Sequence, residues 1–234
     1  MEEIKIIELK QSVFEDNDKD AESLRSELKG NGTLLMNVMS SPGSGKTTLL
    51  LALAEKLAGR LDWAVMEADI DSDVDAARMI DAGIRAVQLH TGGMCHLDAD
   101  MTRQGLAELG VTGKRPNDIA SESEKLDLVV LENVGNLVCP AEFDTGAAID
   151  ATILSVPEGD DKPLKYPLMY EKCDILIINK VDVLPYFDFD VQRVVKNARM
   201  RNPEIKVMFV SAKTGEGLDE LTEWIEDKVR EWQK

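Results

Sequence analysis

Four clusters of side chains in this chain have the types and spacing to do chemistry. The first is Ser40-Ser41-Pro42-Gly43-Ser44-Gly45-Lys46-Thr47-Thr48. It fits the phosphate-binding pattern G-x-x-x-x-G-K-S/T, except that Ser40 stands where the first glycine is usual. Small residues there let backbone N–H groups converge on phosphate oxygens, and a helix opening near Lys46 adds its positive end. Lys46 can reach the β- and γ-phosphates, and the Thr47 hydroxyl can ligate Mg²⁺. The alternative is a Gly/Ser strand-to-helix turn that binds nothing. The backbone angle at Ser40 decides how well serine replaces glycine.

The second cluster is Asn179-Lys180-Val181-Asp182, after the apolar run Ile175 to Ile178. A carboxylate such as Asp182 can accept from both guanine N1–H and the 2-amino group. Adenine offers neither donor, so ATP would leave the carboxylate unsatisfied. The Lys180 stem can lie along a purine face. Ser211-Ala212-Lys213 follows the last apolar run and can offer a backbone N–H to guanine O6. N-K-x-D alone is a weak pattern, but with the phosphate loop upstream and S-A-K downstream the set reads as GTP over ATP.

Carboxylates form the third cluster. In Glu67-Ala68-Asp69-Ile70-Asp71-Ser72-Asp73-Val74-Asp75, Asp69 and Asp75 are candidates to hold Mg²⁺ or to orient attacking water, while Asp71 and Asp73 fit equally as helix N-terminal charges. In Leu131-Glu132-Asn133-Val134-Gly135, Glu132 stands where GTP hydrolases often carry the Asp of D-x-x-G. Gly135 can give its N–H to the γ-phosphate and sense hydrolysis. The fourth cluster is Cys95-His96 together with Cys139. Thiolates and imidazole suit Ni²⁺ or Zn²⁺. Three ligands leave a tetrahedral site to be completed by water or a second subunit. Each alone also fits a buried thiol or an ordinary polar residue. Cys173, before a core strand, reads as structural, and His90 fits either role.

These clusters need a scaffold with loops at one edge. From residue 33 the sequence alternates short apolar runs with longer mixed segments. Strands are expected at 33–39, 63–68, 86–90, 126–132, 151–156, 175–179 and 206–210. Helices are expected at 46–57, 73–82, 95–109, 166–172, 189–200 and 218–233. Runs apolar on nearly every residue suit a sheet covered on both faces. The expected fold is α/β, a doubly wound, mostly parallel sheet of about seven strands flanked by helices. Residues 1–32 read as an N-terminal helical arm, its helix near 21–29 closed by Gly30-Asn31-Gly32, and 33–234 as the nucleotide-binding domain. Residues 115–125 read as a polar surface loop.

Composition bounds the partners. The 234 residues are 44% hydrophobic and 30% charged, a globular balance. Acidic residues outnumber basic ones 44 to 27, a net charge of −17, which argues against nucleic acid and anionic membranes as partners. No apolar run reaches the length of a membrane span, and the first residues lack the pattern of a secretion signal, so a cytoplasmic location is expected. Three cysteines do not make a disulfide framework.

The segments SPGSGKTTLL, GGMCHLDA, ENVGNLVCPA, EGDDKPLKYP and NKVD together resemble the HypB family, the nickel-insertion GTPases of nickel–iron hydrogenase maturation. The likeness spans about residues 33–215. The pairing of Cys-His with ENVGNLVCP is the specific part, because GTP binding does not need those residues. The resemblance implies a P-loop GTPase of the SIMIBI class that dimerises with nucleotide and hydrolyses GTP slowly to GDP. It also implies work with a HypA-type nickel chaperone and delivery of Ni²⁺ to the hydrogenase large-subunit precursor. By motif, Cys95, His96 and Cys139 resemble the family's Ni²⁺ or Zn²⁺ site, and Lys162 a lysine that approaches the partner subunit's nucleotide. The N-terminal cysteine motif and His-rich tract of some members are absent. Two other readings fit the same clusters: a SIMIBI chaperone for another metalloenzyme, of urease or cobalamin-enzyme type, and a metal-binding assembly module with incidental GTPase activity. A P-loop kinase of metabolism is more distant, because N-K-x-D argues against it.

Overall fold

The computed structural model describes residues 9–69, 74–113 and 125–234, with side chains from Phe14 onward. Seven strands form one parallel sheet: β1 (Leu34–Ser40), β2 (Trp63–Asp69), β3 (Arg85–His90), β4 (Leu128–Glu132), β5 (Ile149–Ser155), β6 (Ile175–Asn179) and β7 (Lys206–Phe209). Their order is β3-β2-β4-β1-β5-β6-β7, and every pair is parallel. The central strands are buried on both faces, as their predominantly apolar runs require.

Period-two alternation sends β1 into two cores. Leu34, Met36 and Val38 pack with α2 (Lys46–Leu57) and α9 (Leu218–Trp232), through Leu49, Leu53, Leu221 and Ile225. Leu35, on the other face, meets Leu24 and Leu28 of α1 (Leu9–Asn31) and Leu106 of α4 (Ala99–Glu108). Met39 extends that face to α7 (Pro167–Lys172) and α8 (Val191–Arg201). The remaining α-helices among the described residues are α3 (Val74–Asp81), α5 (Cys139–Glu142) and α6 (Lys162–Lys165).

The N-terminal helix is longer than the sequence suggested. It runs through the acidic stretch Glu15–Asp20, ahead of the helix expected near 21–29, and Phe14 and Asn17 have fixed partners. The Phe14 ring lies 4.8 Å from that of Phe143. Asn17 donates to the Asp144 carbonyl at 3.0 Å and accepts from Ala99 N at 3.0 Å. Leu24 and Leu28 are at most 1% exposed, each contributing about 2 kcal/mol over an exposed leucine. The arm therefore packs on this chain's own sheet.

The helix expected at 95–109 begins only at Ala99, where the Asp98 side chain accepts from Met101 N at 2.8 Å and caps it. Cys95 and His96 thus lie in the loop before the helix, not in its first turn. Asp190 similarly caps α8, which starts two residues after its expected position. The loop expected at 115–125 lies, up to residue 124, outside the described residues, as do Asp71 and Asp73. No helix among the described residues is long and apolar enough to cross a membrane.

Candidate functional site

The parallel sheet puts all the chemical clusters at one edge, the carboxyl ends of the strands, where open α/β sheets bind ligands. The phosphate loop joins β1 to α2. Gly43 and Gly45 adopt positive φ, 78° and 96°, and α2 opens at Gly45 with no side-chain cap, leaving its first N–H groups for a ligand. A Cβ at Gly45 would lie 2.7 Å from Asn179 Nδ2, so glycine is required on contact grounds too.

Ser40 has an ordinary backbone angle, since Lys180 is the one non-glycine with positive φ among the described residues. The serine that breaks the motif is a working part of the loop. Its buried hydroxyl accepts from Lys46 Nζ at 3.0 Å and from Ser44 Oγ at 2.6 Å, and donates to the Ser41 carbonyl. Ser41 Oγ donates to Glu158, which also accepts from Ser155 N and Oγ. Pro42 and Thr48 complete the loop.

A cleft of about 430 Å³ opens beside this loop. Lys46, Thr47, Asp69, Asp75, Glu132 and Gly135 all line it. Thr47 Oγ1 lies 2.8 Å from Glu132 Oε1 and 3.1 Å from Asp75 Oδ2, one hydroxyl proton serving two acceptors. Gly135 is pressed against the phosphate loop: a Cβ there would approach Pro42 atoms at 3.2–3.3 Å.

Sequence reasoning passed over Glu67, which also lines the cleft. It sits two residues before Asp69 on β2, hence on the same face, and pairs in register with Glu132. Both carboxyls are buried, and Oε2 of each has no hydrogen-bond partner. Burial first, then the Glu132 charge, pushes Glu67 up to about 10, and burial raises Glu132 as well. The pair therefore holds a proton at neutral pH. Donor chemistry and orphaned oxygens together fit a cation such as Mg²⁺.

A raised folded-state pKa means the folded protein holds the proton more tightly than the unfolded chain. The associated stability is present below the ordinary carboxylate range and drains away as pH rises toward the folded-state value. A Glu67→Gln variant is expected to melt higher than the parent at about pH 9 without metal or nucleotide, with the gap narrowing toward about pH 5. Thermal denaturation across that range measures it. A gap independent of pH would show that the pair holds no proton.

A second cavity, of about 420 Å³, lies on the other side of the loop and is lined by Asn179, Lys180, Asp182, Ser211, Ala212 and Lys213. Asn179 braces it, donating to the Ser44 carbonyl at 3.0 Å and accepting from Lys180 N and Ala212 N. Lys180 takes φ 62° and reaches the Gly43 carbonyl at 2.7 Å, laying its stem across the cavity. Ser211 Oγ donates to Asp182 Oδ1 at 2.7 Å, fixing the carboxylate. The two cavities share Gly43, Gly45 and Thr48, and so form one groove around the loop. Lys162 begins α6 and lines neither.

The Cys95 and Cys139 thiols meet, and Cys95 holds the Cys139 pKa above the ordinary thiol range. Cys95 Sγ is 3.9 Å from His96 Nδ1, while the His96 ring stacks on Phe143 at 3.8 Å. The structure thus brings the three residues into one neighbourhood. Among the described residues, no group of three His, Cys, Asp or Glu donors is arranged to hold a metal ion. His90 ends β3, and Cys173 is fully buried beside Met169.

Residues 34–209 match the family model described as CobW/HypB/UreG, nucleotide-binding domain. The hydrogenase maturation factor HypB of Azotobacter chroococcum mcd 1 is 45% identical over 95% of this chain and 69% of its own length. The hydrogenase/urease maturation factor HypB of Helicobacter pylori (strain J99) is 38% identical over 98% of this chain and 89% of its own. A crystal structure of HypB from Helicobacter pylori in complex with nickel superposes with a TM-score of 0.82 at 37% identity, covering 92% of this chain and 96% of that one. With the phosphate loop, the base pocket and the carboxylate cleft on one parallel sheet, the chain belongs to the HypB family of hydrogenase maturation factors, within the CobW/HypB/UreG group of nucleotide-binding proteins.

Proposed function

We propose that the chain is a GTP-hydrolysing switch that governs Ni²⁺ delivery during nickel–iron hydrogenase maturation. One observation carries the reading. A single short segment runs from Glu132 and Gly135 in the nucleotide cleft to Cys139, whose thiol meets Cys95. A change at the γ-phosphate therefore has only a few residues to travel before it reaches a candidate nickel ligand.

Guanine is held by Asp182, the Ala212 backbone and the Lys180 stem, while Lys46 and the first N–H groups of α2 neutralise the β- and γ-phosphates. Thr47 and Glu132, with Asp75 and Asp69 beside them, would hold Mg²⁺, which when bound would add charge neutralisation at the phosphates. Asp69 or Asp75 orients the attacking water, and Gly135 N–H reads the γ-phosphate. Intrinsic turnover is slow, because no cationic side chain other than Lys46 and the Asp75-bound Arg78 lines the cleft among the described residues.

Cys95, His96 and Cys139 receive Ni²⁺ as cargo, with Zn²⁺ as the competing ion, and a second subunit or water completes the site. The working form is a nucleotide-dependent homodimer in which Lys162 approaches the partner's nucleotide. A HypA-type chaperone supplies nickel, and the hydrogenase large-subunit precursor receives it, in the cytoplasm. The name of the Helicobacter relative favours a second client of urease type.

The test is a Ni²⁺ titration with GDP and with a non-hydrolysable GTP analogue, on the parent and on a Cys95→Ala/Cys139→Ala variant. Affinity is expected to differ between nucleotides and to fall at least about 100-fold in the double variant. Equal affinity in all nucleotide states would leave metal binding uncoupled from GTP.

A further inference from the structure

A line of buried amides crosses the sheet beneath the nucleotide switch. Asn37 interrupts the apolar stretch from Leu34 to Met39 of β1 and is 1% exposed. It lies in register with Asp150 on β5 and donates to Asp150 Oδ1 at 2.8 Å. Its own Oδ1 accepts from Asn133 Nδ2 at 3.0 Å. Asn133, also 1% exposed, sits between Glu132 and Gly135, and its Oδ1 accepts from Val134 N at 2.9 Å. Both amide orientations follow from this chain. Asn37 must turn its NH₂ to the carboxylate, so its oxygen faces Asn133, and Asn133 must then turn its oxygen to the backbone.

Such a line is costly in a sheet interior, where apolar residues would pack without polar partners. Burial pushes the Asp150 carboxyl up to about 6, opposed by the Asn37 hydrogen bond. The far end opens on a cavity of about 620 Å³ lined by Phe14 and Asp18 of α1, by Phe143 and Asp144 just past Cys139, and by Asp150 itself. The line therefore joins the switch to the ground under the Cys139 segment.

We propose that Asn37 and Asp150 are positioning residues of the switch: clamped between them, the Asn133 amide fixes the Asn133–Val134 backbone and with it the placement of Glu132 and Gly135 against the γ-phosphate. This rests on the GTPase reading above. Neither Asn37 nor Asp150 lines the nucleotide groove. GDP contacts, set by the phosphate loop and base pocket, do not depend on the line, whereas GTP contacts and turnover do.

The experiment measures GDP affinity, affinity for a non-hydrolysable GTP analogue, and steady-state kcat for the parent, Lys46→Ala, Asn37→Leu, Asp150→Leu and Asp150→Asn. Asn37→Leu keeps the volume but removes both bonds. Asp150→Leu removes the acceptor, and Asp150→Asn restores one through its amide oxygen. In the two leucine variants kcat and analogue affinity are expected to fall about tenfold or more, with GDP affinity within about twofold of the parent, and Asp150→Asn to recover most of the loss. Should Asn37→Leu fail to fold, the Asp150 pair decides. Parent-like kcat in a folded leucine variant, an equal fall in GDP and analogue affinity, or no recovery by asparagine would overturn the assignment while Lys46-dependent turnover left the GTPase reading standing. No turnover by the parent, or turnover surviving Lys46→Ala, would overturn both.

Discussion

An Asp182→Asn variant is expected to bind GTP at least about 100-fold more weakly than the parent while gaining affinity for xanthosine triphosphate. The Asp182 carboxylate lies in the base cavity with one oxygen held by Ser211 Oγ at 2.7 Å, so its plane is set before nucleotide arrives. Guanine presents two donors, N1–H and the 2-amino group, and an ionised acceptor pair takes both. Each charge-assisted bond of this kind contributes about 1.5–3 kcal/mol, and about 2.8 kcal/mol is already 100-fold. Asparagine offers one oxygen and one NH₂. The NH₂ meets the 2-amino donor head-on, which is repulsive rather than merely neutral. In xanthine the 2-position carries a carbonyl oxygen, and the same NH₂ becomes its partner while the amide oxygen accepts from N1–H. Competition binding with GTP, ATP and xanthosine triphosphate reads the change. A variant that loses all three alike would mean that the substitution collapsed the Asn179–Lys213 neighbourhood. One that keeps its parent-like preference for GTP would place the base elsewhere.

The fold was legible because its signals are local. Apolar runs bounded by turn residues mark all seven strands, and strict β–α alternation leaves the parallel doubly wound sheet as the economical topology. The nucleotide groove was legible for the same reason: its phosphate loop and base element are short contiguous motifs at strand ends. What was hidden depends on register. Glu67 faces Glu132 because β2 pairs with β4, and Asn37 faces Asp150 because β1 pairs with β5, neither of which is neighbour information in the sequence. A single polar residue inside an apolar strand was the available signal in each case. The extent of α1 was hidden because the acidic stretch Glu15–Asp20 carries no apolar periodicity to mark it as helix, and its Asn17 is fixed only by Ala99 and Asp144, far along the chain. The cysteine neighbourhood falls between: Cys95 and Cys139 are far apart in the chain, and nothing local says that their thiols meet.

A Lys46→Ala variant is expected to lose GTP hydrolysis by about 100- to 1,000-fold in kcat, with a smaller loss in GDP affinity. The ammonium is already in place without nucleotide, 3.0 Å from the Ser40 hydroxyl, so binding need not reorganise it. That hydroxyl is a neutral acceptor and surrenders the lysine easily to an anionic phosphate oxygen. Charge grows on the phosphate oxygens as the bond to the γ-phosphate breaks, so the lysine contributes more in the transition state than in the ground state. Its loss therefore falls mainly on kcat, whereas backbone N–H groups at the start of α2 continue to hold the β-phosphate. Arginine should not rescue the activity, because its planar fork cannot occupy the space between Ser40 and the phosphates as a compact point charge does. The Ser40→Gly exchange, which restores the usual motif, tests the other half of the argument. It removes the resting partner of the ammonium and should leave kcat within about threefold of the parent, since the phosphate itself then orients the lysine. Single-turnover phosphate release for the three variants separates the cases. A Lys46→Ala protein with parent-like single-turnover release would overturn the assignment of hydrolysis to this phosphate loop, and with it the GTPase reading.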